Sequence, residues 1–144
     1  TASAAAQVYV SPEKPDLPGI SMPGADPANF NLVAGELRKV EDVGTGVVHP
    51  GMFTGPAWKD KHALMIVEFK PVRKGRLTLV ASPNAKNGEE IWLNGHKLEF
   101  DKDRKVEFTP LEGVNRFVIK NRGALAFLIL EGEKEQVVEF LPKK

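Results

Sequence analysis

Short apolar runs separated by turn residues fill the chain from residue 60 onward. The clearest pair is joined by Asn94-Gly95, the dipeptide that best tolerates positive φ at both central positions of a type I′ turn, so residues 90–100 are predicted to form a β-hairpin. Glycine, proline and asparagine turns divide the rest of this region in the same way. We predict eight strands here: 63–69, 75–81, 90–93, 96–100, 105–108, 115–120, 124–130 and 137–141.

Several of these runs alternate between apolar and polar residues. Phe117 and Ile119 are expected to face one side of a strand, with Arg116 and Lys120 on the other. Short alternating strands at regular spacing are typical of an antiparallel β-sandwich or barrel.

The first 60 residues follow a different pattern. Five of the eleven prolines lie between residues 12 and 27, so this stretch is predicted to run extended, with neither a helix nor a central strand. Before it, residues 7–10 have the composition of a short strand. A short helix is predicted to begin at Asp26-Pro27, because apolar residues then recur at spacings of three and four, and Gly35 would end it. Residues 43–56 read as an irregular glycine-rich loop.

The bulk composition limits the classes of function. Lysine and arginine number 20 against 19 aspartate and glutamate, giving a formal net charge of +1, so no nucleic-acid partner is expected. There is no cysteine, which excludes disulfides and thiolate-based chemistry. The small residues at the N-terminus are typical of signal-peptidase cleavage sites and predict an exported protein, periplasmic, cell-surface or extracellular. The apolar runs are too short for a transmembrane segment.

Three segments between Gly75 and Leu130 resemble the galactose-binding-like jelly roll of many carbohydrate-binding modules. The run 91–97 is similar to that family's strand, Asn-Gly turn and strand, residues 108–111 are similar to the strand that leads into its turn, and residues 113–119 are similar to its Gly-x-Asn strand. The resemblance implies a jelly-roll fold for this part of the chain. Members of the family bind sugars, other polymers or proteins.

We therefore predict an all-β fold: an antiparallel β-sandwich of the jelly-roll type with an extended proline-rich N-terminal arm and at most one short helix. Residues 1–28 would form the arm and residues 29–144 a single sandwich domain.

The two tryptophans are candidate platforms for a glycan, because an indole ring stacks on the apolar face of a sugar. Trp58 follows a glycine- and proline-rich loop and is expected to be the more exposed. Trp92 lies inside a strand, where packing between sheets is the simpler interpretation.

Histidine and methionine recur together at His49, Met52 and His62, and imidazole with thioether sulfur suits copper in an exported protein. Met65 forms a second His-x-x-Met pair with His62, but residues three apart in a strand face opposite ways, so these two would not bind one ion, and Met65 is expected in the core. We predict no cofactor and no catalytic residues.

The leading hypothesis is a non-enzymatic structural or accessory subunit that assembles with protein partners, or with copies of itself, through its N-terminal arm. Strand addition by Val8, Tyr9 and Val10 would satisfy the edge of a neighbouring sheet, and the extended chain that follows would lie on that neighbour. The arm residues expected to make the contact also include Pro12, Pro15 and Pro18. A carbohydrate-binding module is the alternative, and a periplasmic copper-binding protein is the third hypothesis.

Overall fold

The computed structural model describes residues 3–11, 13–41, 47–51, 62–72, 74–81, 90–121, 126–131 and 138–141. These residues form an all-β fold of eleven strands, with a one-turn α-helix, α1 (Leu17–Ile20), and a 3₁₀ helix (Pro27–Phe30). The strands are β1 (Ser3–Ser11), β2 (Val33–Glu41), β3 (Val47–Gly51), β4 (His62–Pro71), β5 (Leu77–Ala81), β6 (Glu90–Leu93), β7 (His96–Lys97), β8 (Lys105–Phe108), β9 (Asn115–Asn121), β10 (Ala126–Glu131) and β11 (Val138–Leu141).

The eight strands predicted after residue 60 are all present, and β6 and β8 have the predicted bounds. The turn between β6 and β7 places Asn94 at φ 50° and Gly95 at φ 91°, the two positive values that the Asn-Gly prediction requires. The largest difference is β7, which ends at Lys97 although Leu98 still donates a backbone hydrogen bond to Ile91 at 2.9 Å.

All paired strands are antiparallel, in the order β7-β6-β9-β4-β1-β2-β3-β10-β5-β8. Strand β4 pairs with β9 along one edge, while β1 and β11 pair with successive halves of its other edge. β1 is therefore an interior strand, hydrogen-bonded to β2 on one side and to β4 on the other.

The main core lies on one face of β4, β9 and β6. Phe69 of β4 and Phe117 of β9 are both fully buried and stack with ring centroids 4.9 Å apart, and Phe108 of β8 meets Phe117 edge-on at 5.9 Å. Leu77 and Leu79 of β5 belong to the same buried cluster, although β5 is far from β9 in the strand order. The sheet therefore turns back on itself and encloses this core between two layers.

The opposite face of β4 and β9 carries a second, smaller core. Leu64 of β4 and Val118 of β9 are buried there against Leu17 and Ile20 of α1. The predicted alternation in β9 is confirmed, but its polar side does not face water: Arg116 is 6% exposed and Lys120 is 5% exposed. We call residues 13–32, which lie over this face, the cover.

The prediction that residues 12–27 contain no helix is wrong, whereas the short helix predicted at Asp26-Pro27 begins where expected but ends sooner. The stretch expected to run extended contains α1, which is possible because Asp16 caps the Gly19 N–H and Pro18 lies in the first turn, where no intrahelical donor is needed. The helix expected from Asp26-Pro27 is a single 3₁₀ turn, and Val33 to Glu41 form β2 because β1 and β3 pair with it. No helix among the described residues is long and apolar enough to cross a membrane.

The predicted N-terminal arm lies on the chain's own sheet wherever the structure describes it, at residues 3–11 and 13–28. The loop predicted at 43–56 contains β3 (Val47–Gly51), and its other residues lie outside the described part of the chain.

Candidate functional site

The cover is fixed to the sheet by one buried arginine. Arg116 lies on β9 beneath the cover, and its Nη1 donates hydrogen bonds to the backbone carbonyls of Ile20 at 2.9 Å and Ala25 at 2.8 Å. Its Nε and Nη2 donate to Oε2 of Glu68, at 3.3 and 3.2 Å, on the neighbouring strand β4. A guanidinium with so little exposure requires partners of this kind, because an unpaired buried charge is very costly.

A second attachment joins the cover to the hairpin turn. Ser21, which is fully buried, accepts a hydrogen bond from the Gly95 N–H at 3.0 Å and donates one to the Pro18 carbonyl at 3.1 Å. Glycine suits this position because its φ is 91°, a conformation that residues with a side chain rarely adopt, and the sulfur of Met22 lies close to it, 2.6 Å from where a Cβ would stand. The cover, the hairpin and β9 are thus held as one unit.

Ion pairs join the N-terminal part of the cover to strands β6 and β9. Glu90 on β6 lies between Lys14 of the cover, at 3.7 Å, and Lys120 of β9, at 3.5 Å. Burial alone would raise the pKa of Glu90, but the positive charges of Lys14, Lys120 and Lys97 outweigh burial and lower the pKa below its ordinary value of 4.5. The Trp92 indole N–H acts in the same direction, although it makes no hydrogen bond of acceptable geometry to any described residue.

The turn before β9 is held by a buried asparagine. Oδ1 of Asn115 accepts hydrogen bonds from the Leu111 N–H at 2.7 Å and from Nδ2 of Asn94 at 2.8 Å. Its Nδ2 donates to the carbonyls of Leu111 at 3.0 Å and Gly113 at 3.2 Å. Asn115 is fully buried, so these bonds satisfy its amide and fix the backbone of residues 111–113.

This fixed turn forms one wall of a surface groove of about 480 Å³. The other wall is the turn between β4 and β5, and Lys74 and Glu112 form an exposed ion pair between the two walls at 3.6 Å. Val72 is 54% exposed and Leu111 is 49% exposed, both large apolar side chains. We call this site the turn-end groove; its principal lining residues are Pro71, Val72, Lys74, Pro110, Leu111 and Glu112.

Among the arm residues singled out from the sequence, Val8, Tyr9 and Val10 all lie in β1, where both strand edges are paired within the chain. Tyr9 packs in the second core; burial raises the pKa of its hydroxyl, an effect that Arg116 opposes and Asp26 reinforces.

The three prolines named with the arm have different surroundings. Pro15 is buried in the cover, Pro18 is exposed, and Pro12 lies outside the described residues.

The structure describes one of the two candidate glycan platforms, Trp92. Trp92 packs against the second core beneath the cover, so its ring is not an open platform. Trp58 lies outside the described residues, and the carbohydrate-binding alternative therefore depends on it.

The candidate copper ligands are not brought together where the structure describes them. His62 pairs with Ser11, at one end of β1. His49 lies next to Val48 of β3, which is level with Ala4 near the other end of β1, because Val48 pairs with Val40 and Val40 pairs with Ala4. The two histidine positions are therefore offset by roughly 20 Å along the strands. Met52 lies outside the described residues, and the described part of the chain holds no group of three or more potential ligands arranged for a metal.

Sequence reasoning missed Arg116, Ser21 and the turn-end groove. The one signal in the sequence was Arg116 itself, because an arginine is unusual within so apolar a strand. In the folded chain Arg116 of β9 is paired with Glu68 of β4. Its acceptors in the cover are backbone carbonyls, which every residue type carries, so the sequence cannot identify them.

Comparison with protein-family models, curated proteins and solved structures finds no match to this chain.

Proposed function

We propose that this chain is a non-enzymatic structural subunit of an exported assembly and that it contacts its partner chain through the outer surface of the cover. The position of Met22 supports this most. Met22 is 48% exposed, although Ile20 and Ser21 immediately before it are fully buried. An apolar side chain displayed from a fixed backbone loses little backbone freedom on binding, which favours association.

The charge around Met22 indicates what kind of surface would receive it. The cover contains three acidic residues and one lysine, a formal charge of −2. The acidic residues Glu13, Asp16 and Asp26 are all exposed, while Lys14 is paired with Glu90. A complementary partner would offer an apolar depression with a basic surround.

The proposal assigns the contact to the cover and not to β1. Strand addition by Val8–Val10 would require β1 to leave β2 or β4, since both of its edges are paired within the chain. The cover needs no such rearrangement.

The galactose-binding-like jelly roll is part of the same proposal. Asn94 and Asn115, which belong to the segments that carry the resemblance, are hydrogen-bonded to each other, and the Arg116 N–H also donates to Oδ1 of Asn94 at 2.9 Å. The hairpin and the Gly-x-Asn strand thus form one structural unit, as a shared motif would require. Accessory domains with this fold commonly serve as binding modules without a catalytic centre of their own.

The test compares Met22→Glu with Lys102→Glu, both expressed in the cells that produce the chain. Lys102 is exposed in the turn before β8 and serves as the matched control outside the cover. We expect the wild type and K102E to sediment as an assembly and M22E to sediment as the free chain. A wild-type chain that sediments free, or an M22E variant that stays assembled, would overturn the proposal.

A further inference from the structure

We infer that the partner is a second copy of this chain and that Met22 of each copy enters the turn-end groove of the other in a two-fold symmetric dimer. This inference rests on the proposed function and adds the identity of the partner and the acceptor surface.

The exposed apolar residues suggest this pairing. Within the described part of the chain, four large hydrophobic side chains are exposed: Met22, Val33, Val72 and Leu111. Val72 and Leu111 line the groove. Met22 is 48% exposed in the cover, although its sulfur lies close to Gly95 of the hairpin turn. The molecule therefore offers both an exposed apolar side chain and an apolar groove to receive it, as association with itself requires.

Met22 and the groove lie at the same end of the fold. Ser21, the residue before Met22, is hydrogen-bonded to Gly95; the adjacent Asn94 is hydrogen-bonded to Asn115, and Asn115 to Leu111. Each bond is between 2.7 and 3.0 Å long, so a short chain of contacts joins the cover to the groove wall. Two copies related by a two-fold axis can then make both contacts at once, the arrangement of an isologous interface.

The charges of the two surfaces are opposite. The described residues among 70–76 and 107–113, around the groove, include three basic and two acidic residues, a formal charge of +1, against −2 for the cover. Reciprocal docking places each acidic cover beside a basic groove.

The size and rigidity of the groove suit a methionine. Its volume of about 480 Å³ falls within the range of ordinary binding sites, and the Asn115 hydrogen bonds hold the Leu111 wall in place before binding. An unbranched thioether side chain can adjust to such a groove more readily than a branched one.

The test measures the dimer dissociation constant of the purified chain by analytical ultracentrifugation. We expect a monomer–dimer equilibrium with no larger species. Met22→Glu and Leu111→Glu should each weaken dimerisation at least about tenfold, because each buries a carboxylate in an apolar contact. Both positions are exposed in the monomer, so circular dichroism should show an unchanged fold.

Mixing the two variants tests the reciprocal geometry. A mixed dimer keeps one intact contact, between Met22 of the L111E chain and the groove of the M22E chain, whereas each variant alone keeps none. We expect the equimolar mixture to form more dimer than either variant by itself.

The absence of cysteine allows a direct crosslink. Met22→Cys mixed with Leu111→Cys should give a disulfide-linked dimer on oxidation, while Val33→Cys, a control at an exposed apolar residue outside the proposed contact, should not crosslink to L111C. A wild type that stays monomeric, a dimer unaffected by L111E, or equal crosslinking of V33C would overturn the inference. If M22E still disrupts an assembly in cells while L111E does not, the proposed function stands and only the choice of partner and groove fails.

Discussion

Replacing Arg116 by methionine should release the cover while leaving the main core packed. The substitution removes four hydrogen bonds: one each to the Ile20 and Ala25 carbonyls, and two to Glu68. Methionine keeps the apolar stem of arginine as far as the position of Nε and has no polar group, so the change removes the guanidinium and retains the packing of the stem.

The expected loss of stability depends on whether each acceptor can form a hydrogen bond to water once the guanidinium has been removed. The two carbonyls face a buried site, and losing a charged donor there costs about 1.5 kcal/mol or more for each bond. Glu68 is 32% exposed at its side chain and can regain water, so its share is under about 1 kcal/mol. We expect a total of about 4 kcal/mol, a large part of the roughly 5–15 kcal/mol by which domains are stable. Arg116→Lys keeps the charge but loses the planar fork, and should cost about half as much.

Urea unfolding followed by tryptophan fluorescence measures this free energy. Arg76→Met is the matched control, because Arg76 pairs with Glu107 at 3.5 Å on the surface, where the two side chains are 76% and 64% exposed, and should change stability by less than about 0.5 kcal/mol.

Hydrogen exchange shows where the loss occurs. The amides of Ile20, Ser21 and Met22, which donate to Asp16, Leu17 and Gly19, should lose protection in R116M before those of β9. An R116M variant as stable as R76M, with unchanged exchange in the cover, would refute the anchoring role of Arg116.

Two further changes test the surroundings of the cover and the groove. Because the folded pKa of Glu90 lies below 4.5, its charge stabilises the fold above about that pH, and this contribution is lost as the pH falls through the folded pKa. The Glu90→Gln variant should therefore be less stable than the wild type near neutral pH and should lose less stability on acidification. Urea unfolding midpoints at each pH measure both effects. Asn115→Ala leaves the Leu111 amide and carbonyl without their partner and should cost about 2–4 kcal/mol of stability in thermal unfolding. Asn29→Ala, at an exposed position, is the control and should be nearly neutral. Equal effects at the two asparagines would contradict the structural role of Asn115.

Much of the fold could be predicted because its turns carry their own steric signature. Asn94-Gly95 requires positive φ, and in β9 Phe117 and Ile119 alternate with Arg116, Val118 and Lys120, so local sequence determined both the hairpin and the strand faces. In β2 the same kind of reasoning failed. Val33 and its apolar successors fit a helical spacing, but pairing with β1 and β3 overrides local preference.

The candidate site could not be predicted from the sequence, for a different reason. Alternation placed Arg116 on the side opposite Phe117, which is correct, but nothing local shows that this side is covered. The partners of Arg116 are the carbonyls of Ile20 and Ala25, and any residue could have supplied them. The turn-end groove likewise depends on two turns that are adjacent only after folding.

The anchoring of the cover also has a consequence for the order in which the chain can mature. Ile20 and Arg116 are 96 positions apart, so a chain made from its N-terminus exposes the cover long before its anchor exists. Leu17 and Ile20 lack the surface they pack on until β4 and β9 have been synthesised, and until then β1 lacks one of its two neighbouring strands. The cover is thus synthesised before β4 and β9 but becomes ordered only after them. Met22 can hold its fixed position only once β9 has been synthesised, so chains that end before β9 lack the contact surface proposed for assembly.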